Sequence, residues 1–460
     1  MSDCWDVIVI GAGMSGLGAG LRLALAQKKV LIVEQHNSIG GLNSFYLKGR
    51  IKYDVGLHAL TNFIPQGTKG HPLTKLCRQL RIPYEALMLE EQRMSSIQFP
   101  ELTLNFTNDF QVLLDEIVYY FPKEKENFLK LDATIEHLSD TSLEGPHFIS
   151  AREQLNGFIK DPLLKEMLLL PLFYYGSAHV NDLDWRQFAI LYKSIYKEGF
   201  ARPRGGVRTL LKLLRDRFRE WGGKLKVKSK VDTVVFEENS SKAVGVKLTS
   251  GEILYAEQIL SSIGYQETRA LCGQKEILDK PVLTFTETIS TLQKSPQALG
   301  WEKTIIFFNH SNKVDYSPSN QLIDLRSGVI CIPENYGLEY ENHTTLRTTH
   351  LAGYEAWQAL TMEEYVKAKQ KYLKLSREMA IKVLGGNNSV SILAEDMFTP
   401  LTIKRFTGHF KGAIYGSPEK YRDGRIGYEN VFLCGTDQGF LGIVGALLSG
   451  ISMANYHCLQ

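Results

Sequence analysis

The sequence lacks any apolar run long enough to cross a membrane, because no uninterrupted hydrophobic stretch reaches the ~18 residues of a spanning helix. Its six cysteines are scattered without a CxxC pair, and its histidines form no HExxH pattern. Neither a disulfide framework nor a metal site is therefore predicted. No signal peptide fits before the first predicted strand, which begins at residue 6. We expect a cytoplasmic protein with reduced thiols.

An excess of one charge sign is also absent. The formal net charge is +3, and no arginine-rich run or basic-aromatic interleaving is present. These properties argue against a nucleic-acid partner. With 44% hydrophobic and 22% charged residues the composition is that of an ordinary globular protein. A chain of 460 residues is too long for one hydrophobic core, so two domains are predicted.

What is present is a βαβ unit at the start of the chain. Residues 6–10 form an unbroken apolar run, which predicts a strand buried on both faces of a parallel sheet. The run leads into Gly11-Ala-Gly13-Met-Ser-Gly16 and a predicted helix over 17–26. A second apolar run, 30–33, ends in Glu34. A GxGxxG turn with both strands, the helix and the terminal acid is typical of dinucleotide binding.

Each part of this unit has its own role at a bound dinucleotide. Gly11 permits the tight turn, Gly13 lets the backbone approach a pyrophosphate, and Gly16 lets the helix pack closely on the sheet. The helix N-terminus offers free N–H groups and a partial positive charge. A carboxylate at Glu34 accepts hydrogen bonds from ribose hydroxyls and disfavours a 2′-phosphate, which leaves FAD and NAD.

The Gly40-Gly41 pair decides between these two cofactors. In one large flavoprotein clan a glycine pair follows the acid by about this spacing and brings backbone against the pyrophosphate from the other side. The sequence therefore predicts FAD.

The rest of the chain alternates between two patterns. Residues 45–47 and 51–55 predict a hairpin, residues 66–200 a helical insertion, and residues 281–357 an antiparallel sheet. A capping box at Thr361 begins a long helix. The predicted helices of the insertion are 73–80, 109–120, 123–139, 149–159, 161–170 and 184–197. Other predicted strands are 224–227, 231–236, 243–248, 253–256, 258–261, 282–292, 304–309, 321–324, 329–332, 344–353 and 431–434; the other predicted helices are 208–221 and 446–456.

With these motifs the chain resembles the flavin amine-oxidase clan over nearly its whole length. Within the clan it is most similar to the phytoene desaturase, carotenoid isomerase and retinol saturase group. The further motifs that carry the resemblance are Tyr53-Asp54-Val-Gly56, Pro203-Arg-Gly205-Gly206, Val231-Asp-Thr-Val-Val, Leu433-Cys-Gly435 and Ser449-Gly450. Two positions depart from the pattern: Leu42 replaces a basic residue that many relatives have after the glycine pair, and Asp437-Gln-Gly439-Phe replaces a Thr-His-Pro-Gly-like turn.

The resemblance implies an α/β fold with two interleaved domains. A Rossmann-type, glutathione-reductase-like FAD-binding domain would combine residues 1–65, 201–280 and 425–460. An α+β substrate-binding domain, containing the antiparallel sheet and the helical insertion, would combine residues 66–200 and 281–424.

The resemblance and the βαβ motif together imply a set of cofactor-binding residues. The glycine turn would bind the pyrophosphate, Glu34 the ribose, and the backbone of Val231 the adenine. The C-terminal turn would contact the ribityl chain or the flavin ring. The full set is Gly11, Gly13, Ser15, Gly16, Glu34, Gln35, Gly41, Leu42, Asn43, His58, Val231, Gly435, Asp437, Gly442 and Val444.

Three residues are candidates for catalysis, each with a structural alternative. His58 acts as an acid or base beside the flavin, or only lines the site. Tyr175, with its neighbour Tyr174, shapes a substrate pocket or belongs to a helix core. Arg202 binds a substrate carboxylate, or it is a surface arginine at a domain junction.

We therefore expect an FAD-dependent oxidoreductase that acts by hydride transfer on a small lipophilic substrate, by desaturation, saturation or isomerisation of a polyene or other lipophilic C–C bond. Peripheral contact with a membrane would deliver such a substrate. The first alternative is an FAD-dependent amine or amino-acid oxidase, which could act on a peptide side chain. The second is a non-catalytic escort module for prenylated proteins.

Overall fold

The computed structural model describes residues 4–49, 51–56, 59–138, 148–274, 281–337, 343–386 and 390–459. The strands are β1 (Trp5–Ile10), β2 (Val30–Val33), β3 (Phe45–Lys48), β4 (Ile51–Asp54), β5 (Leu89–Glu91), β6 (Ser95–Gln98), β7 (Thr103–Phe106), β8 (Ala201–Pro203), β9 (Lys224–Lys226), β10 (Val231–Phe236), β11 (Ala243–Leu248), β12 (Ile253–Ser261), β13 (Thr284–Leu292), β14 (Ile305–Asn309), β15 (Ser327–Cys331), β16 (Thr344–Ala352), β17 (Ile392–Phe398) and β18 (Val431–Leu433). The α-helices are α1 (Met14–Leu25), α2 (Pro72–Leu80), α3 (Phe110–Tyr120), α4 (Lys125–His137), α5 (Ala151–Phe158), α6 (Pro162–Gly176), α7 (Trp185–Tyr192), α8 (Val207–Glu220), α9 (Tyr265–Leu271), α10 (Pro296–Leu299), α11 (Tyr354–Gln358), α12 (Met362–Val383), α13 (Pro400–Thr407) and α14 (Gly442–Met453). Within these residues no helix combines the length and the apolar character that a membrane crossing requires.

The first sheet is built around β1. Its strand order is β10-β11-β12-β1-β2-β9, with β18 paired to β12. β1 lies parallel to both β2 and β12, so the carboxyl ends of these strands meet at one edge of the sheet. The strands come from the three segments predicted for the cofactor domain. The domain boundaries themselves stay a prediction.

Small residues allow the helices on this sheet to pack closely. A Cβ added to Gly18 of α1 would lie 2.7 Å from the carbonyl oxygen of Leu447 in α14. A Cβ added to Gly450 of α14 would lie 2.0 Å from the carbonyl oxygen of Ser15. The two helices are therefore in backbone contact beneath the β1–α1 turn, and this contact fixes the position of the turn.

The second sheet has the order β17-β13-β16-β15-β14-β6-β7. Its pairs are antiparallel except for β14 with β6, which is parallel. One face, with Phe285 and Phe307, packs in the same hydrophobic core as helices α6 and α7. The other face, with Ile306 and Ile330, packs against residues of α12 such as Ile381. The predicted antiparallel sheet is present, and it is larger than predicted.

The segment 66–200 is not purely helical, which corrects the predicted helical insertion. It contains β5, β6 and β7, and the last two extend the second sheet. These strands are three or four residues long. Segments this short carry too few residues for an alternating pattern to stand out.

Other elements differ in length or identity from the predictions. α6 continues through Pro171 to Gly176, beyond the predicted end at residue 170, although proline disfavours a helix interior. β12 is one strand where two were predicted, since it passes from the antiparallel pair with β11 into the parallel part of the sheet. Residues 321–324 form only an isolated bridge at Ile323 instead of a strand. β17, α9, α11 and α13 were not predicted.

Candidate active site

The β1–α1 turn leaves open space at Gly13. A Cβ added there would meet no described protein atom within 4 Å, and the φ of −69° is one that any residue adopts. Gly16 is the opposite case, because its Cβ would lie 2.0 Å from the carbonyl oxygen of Gly11. Packing within the protein requires glycine at position 16, whereas only a ligand could require it at position 13. This arrangement fits the predicted approach of a pyrophosphate.

The N-terminus of α1 points its unpaired N–H groups into the same space. No side chain of the described residues caps the helix at Gly13, so its first N–H groups remain available to an anion. Ser15 is only 6% exposed, and it lies in this first turn. Both residues line the cavity described below.

Glu34 is fixed at the end of β2 by backbone hydrogen bonds. Its Oε2 accepts from the N–H of Ala12 at 2.8 Å, and its Oε1 accepts from the N–H of His36 at 2.9 Å. The carboxylate is therefore held at the edge of the cavity with lone pairs to spare. This geometry fits the predicted contact with ribose hydroxyls.

The glycine pair borders the cavity opposite Gly13. Gly40 and Gly41 have φ values of +113° and +57°, which favour glycine, and Gly40 forms a bridge with Gly13. A short 3₁₀ turn, Gly41–Asn43, follows. Leu42 lines the cavity within this turn.

A continuous cavity of about 1330 Å³ joins the βαβ turn to the second sheet. We call its part against the second sheet the inner chamber, lined by Tyr174, Tyr175, Phe285, Thr286, Glu287, Val329, Thr349, Ile414 and Tyr415. The predicted site residues that line the cavity are Gly11, Gly13, Ser15, Glu34, Gln35, Gly41, Leu42, Asn43, Val231, Gly442 and Tyr175. His58 lies outside the described residues, and its predicted roles at the cofactor and in catalysis stay predictions.

Other predicted cofactor residues lie behind the cavity wall. Gly16 belongs to the packing of the turn, Val444 is 1% exposed in the core, and a Cβ at Gly435 would lie 2.8 Å from Oγ of Ser15. Gly16, Gly435 and Val444 are therefore packing residues behind the cavity wall.

Asp437 also differs from its prediction as a hydroxyl-binding carboxylate. Its Oδ2 accepts from the N–H of Tyr265 at 2.6 Å, and its Oδ1 accepts from the N–H of Ser417 at 2.7 Å. The side chain is 3% exposed and does not line the cavity. The carboxylate therefore joins two loops to the C-terminal turn, and this structural role occupies it.

Arg202 is neither a surface arginine nor part of the cavity wall. Its Nη2 lies 2.9 Å from Oδ2 of Asp54, and both side chains are buried. Nη1 of Arg208 lies 3.6 Å from the other oxygen of Asp54. The ion pair engages the guanidinium of Arg202, which does not line the cavity, and this corrects its prediction as a substrate-binding residue.

Aromatic rings form most of the inner chamber. Tyr174 and Phe285 stack with ring centroids 5.5 Å apart, and Phe285 meets Tyr415 edge-on at 5.9 Å. Tyr174 and Tyr175 thus belong both to a core and to a pocket wall, so the two predicted alternatives describe one arrangement.

A buried ion pair on the second sheet was not predicted. Glu287 of β13 lines the cavity, and its Oε1 lies 2.5 Å from Nη2 of Arg347 in β16. Arg347 is 2% exposed. The available signal in the sequence was one acidic and one basic residue, each within a strand made mostly of threonine and apolar residues. Such a pattern indicates a buried pair, because charged side chains are rarely buried without a partner.

A second unpredicted feature closes the other end of the cavity. The carbonyl oxygen of Phe406 lies 2.5 Å from Nε2 of His36, and the N–H of Phe410 donates to Glu267 at 2.6 Å. Burial raises the pKa of Glu267. The C-terminal end of α13 and the segment that follows it therefore cover the cavity beside Glu34.

Comparison with known proteins places the chain in a family. Residues 14–456 match the flavin-containing amine oxidoreductases. The chain belongs to this family. The intact glycine turn, the fixed Glu34 and the open space at Gly13 fit its flavin cofactor.

Individual relatives agree with this membership. The prolycopene isomerase of Arabidopsis thaliana is 23% identical, over 98% of this chain and 82% of that protein. The human all-trans-retinol 13,14-reductase is 22% identical, over 96% and 83%. The predicted resemblance to the carotenoid isomerase and retinol saturase group is confirmed.

Solved structures confirm the fold class. An oxidoreductase from Methanosarcina mazei has a TM-score of 0.67 at 16% identity, covering 98% of this chain and 99% of that one. Cyclohexylamine oxidase from Brevibacterium oxydans has a TM-score of 0.62 at 16% identity, covering 99% of both chains. The protein is an FAD-dependent oxidoreductase, as predicted, and the escort-module alternative is not supported.

Proposed function

We propose that this oxidoreductase desaturates, saturates or isomerises a polyene or another lipophilic substrate by hydride transfer. The observation that carries the proposal is the inner chamber, a space rich in aromatic rings and continuous with the cofactor cavity. The names of the isomerase and reductase relatives support the same substrate class.

The rings of Tyr174, Tyr175, Phe285 and Tyr415 form one continuous part of the chamber wall, beside the polar residues of the second sheet. Oη of Tyr174 is paired with Oγ of Ser327 at 2.7 Å, and the hydroxyl of Tyr415 donates to the carbonyl of Tyr174. The hydroxyl groups of both tyrosines are therefore engaged within the protein. Such a surface suits a hydrocarbon chain and excludes water from the reacting bond.

We infer the cofactor contacts from the residues that line the cavity. Gly13 and Ser15 at the N-terminus of α1 would hold the pyrophosphate, and Glu34 would hold the ribose. Gly442 begins α14 and would turn that helix N-terminus toward the flavin, where it stabilises negative charge. The bound flavin supplies the hydride-accepting or hydride-donating centre.

The protein's part in the reaction is to orient the substrate and to exclude water. Of the predicted catalytic candidates, Tyr175 lines the chamber and is retained as a residue that contacts substrate. His58 stays a candidate on the sequence evidence alone.

Delivery of a lipophilic substrate favours contact with a membrane surface. Leu47 of β3 lines the cavity, yet it is 62% exposed. An exposed apolar side chain at the edge of the cavity suits contact with a lipid interface. A cytoplasmic protein that binds peripherally to a membrane fits this route.

The test incubates the FAD-loaded protein anaerobically with polyenes such as prolycopene and all-trans-retinol, once with oxidised flavin and once with flavin reduced by dithionite, and analyses the extracts by chromatography. A parallel sample in air receives amines in place of polyenes and is assayed for hydrogen peroxide. The proposal predicts a changed double-bond pattern in at least one polyene and slow reoxidation of the reduced flavin by air. Turnover of an amine with hydrogen peroxide release and fast reoxidation, without any change in the polyenes, would overturn it in favour of the amine-oxidase alternative.

A further inference from the structure

The end of the cavity beyond Glu34 is lined by apolar side chains. The N–H of Ser229 donates to the carbonyl oxygen of Glu34 at 2.8 Å, and the chain then enters β10 at Val231. Val231, Ile263 and Leu271 line the cavity and pack in one hydrophobic cluster. A dinucleotide with its ribose at Glu34 extends its base to this end, where an apolar surface suits the face of a flat ring. We call these three residues and the space beside them the base end of the cavity.

One carboxylate borders the base end. Glu267 lies in α9 one turn before Leu271, and its side chain lines the cavity. Its Oε1 accepts from the N–H of Phe410 at 2.6 Å. Its Oε2 has no hydrogen-bond partner among the described residues and is not fully enclosed by the protein. An ionised carboxylate only accepts hydrogen bonds, so a ligand group that pairs with Oε2 must donate.

This carboxylate is held between two parts of the chain. On one side, α9 packs against β10. On the other side, the segment after α13 is tied to Glu267 through the N–H of Phe410, and to the loop after β2 through the contact between His36 and the carbonyl oxygen of Phe406. The same segment lines the cavity with Thr407, Gly408 and His409. The base end therefore lies between apolar residues and this covering segment, and Glu267 presents Oε2 there at a fixed position.

We propose that Glu267 selects the adenine base of FAD, by accepting at Oε2 a hydrogen bond from the exocyclic amino group. That group has two hydrogens, so the predicted contact of the adenine with the backbone of Val231 can be made at the same time. A base with a carbonyl oxygen at this position, such as hypoxanthine or guanine, turns a lone pair toward the carboxylate and is rejected. The inference concerns the cofactor and does not depend on which lipophilic substrate reacts.

The ligands for the test are FAD and deamino-FAD. Deamino-FAD, the product of FAD and nitrous acid, carries hypoxanthine in place of adenine, so a carbonyl oxygen replaces the amino group. Each is titrated calorimetrically into the apo-protein. Burial raises the pKa of Glu267, so the titrations are made at pH 8, which favours the ionised carboxylate. The wild-type protein is expected to bind FAD at least about tenfold more tightly than deamino-FAD.

The variant Glu267→Gln exchanges the acceptor for a donor. The N–H of Phe410 should hold the amide oxygen, so the NH₂ group takes the place of Oε2 and donates to the carbonyl oxygen of hypoxanthine. The preference for FAD should fall at least about tenfold, with tighter binding of deamino-FAD. Glu257→Gln is the matched control, because Glu257 is exposed on β12 and does not line the cavity. It should keep the wild-type preference.

Two results would overturn the inference. One is equal or tighter binding of deamino-FAD by the wild-type protein, a comparison that needs no variant. The other is the same preference in Glu267→Gln as in Glu257→Gln. Deamination also adds a proton to a ring nitrogen, and the comparison between variants cancels the effect of this proton on other contacts. A circular dichroism spectrum and an unfolding midpoint like those of the wild-type apo-protein verify that each variant is folded.

Discussion

Arg347 and Glu287 form a buried ion pair on the second sheet, and Arg347 also binds the backbone at the end of β4. Nη2 of Arg347 lies 2.5 Å from Oε1 of Glu287, and the same guanidinium donates to the carbonyl oxygens of Asp54 and Val55 at 2.9 and 2.7 Å. One side chain thus fixes both a polar group of the cavity wall and the backbone that follows β4. The substrate side of the cavity depends on this contact.

Replacing Arg347 by Met should lower the free energy of unfolding by about 3–5 kcal/mol, because it leaves Glu287 as an uncompensated buried charge. Denaturant unfolding monitored by fluorescence measures the loss. The matched double variant Glu287→Met with Arg347→Met removes both charges and should lose less than the single variant. A single variant with the wild-type midpoint would contradict the structural role given to the pair.

Replacing His36 by Ala should weaken FAD binding by roughly threefold to tenfold, because His36 contacts the carbonyl of Phe406 and holds the segment that covers the cavity beside Glu34. The rate of FAD release after dilution, followed by the rise of flavin fluorescence, measures this effect. His310→Ala changes an exposed histidine that does not line the cavity, and it serves as control. Equal release rates in the two variants would show that the covering segment does not retain the cofactor.

Acidification should destabilise the fold through His350. Burial lowers the pKa of this histidine to about 4, whereas an unfolded histidine titrates near 6.5. Between these two values the unfolded chain binds more protons, so the free energy of unfolding falls as the pH falls. The full stabilisation is present above pH ~6.5, and about 3 kcal/mol of it is lost by pH ~4.

The variant His350→Gln tests this linkage. Between pH 7 and 5 its free energy of unfolding should fall by about 2 kcal/mol less than that of the wild-type protein. The comparison uses the change with pH, so the packing cost of glutamine cancels. Parallel pH profiles for the two proteins would assign the acid sensitivity to other groups.

Replacing Gly16 by Ala should impair the fold itself, because the new Cβ would lie 2.0 Å from the carbonyl oxygen of Gly11. We expect a loss of at least about 1–3 kcal/mol in the unfolding free energy of the FAD-free protein. Thermal unfolding without cofactor measures it. Wild-type stability of this variant without FAD would mean that glycine at this position serves the ligand alone.

The cofactor half of the site could be predicted because its determinants are local in the sequence. Gly11, Gly13, Gly16 and Glu34 lie within one βαβ unit, and their spacing alone brings them to one edge of the sheet. The structure also distinguishes two of these glycines. A Cβ at Gly16 would collide with the carbonyl oxygen of Gly11, whereas a Cβ at Gly13 would meet no described protein atom within 4 Å.

The substrate half could not be predicted because strand register decides it. Glu287 and Arg347 meet only because β13 pairs with β16 so that Glu287 lies opposite Thr349. Nothing local indicates that pairing. Asp437 shows the same limit: its glycine-rich turn predicted a hydroxyl-binding carboxylate, but its partners are the N–H groups of Tyr265 and Ser417, which come from other loops.

The most direct test of the account is FAD binding by the variant Gly13→Ala. The added Cβ meets no described protein atom within 4 Å, so apo-protein stability should match that of the wild type. The same Cβ occupies the space through which a pyrophosphate would approach, so affinity for FAD, measured by calorimetric titration of the apo-protein, should fall at least about tenfold. Wild-type affinity in a stably folded variant would contradict the placement of the cofactor on this turn.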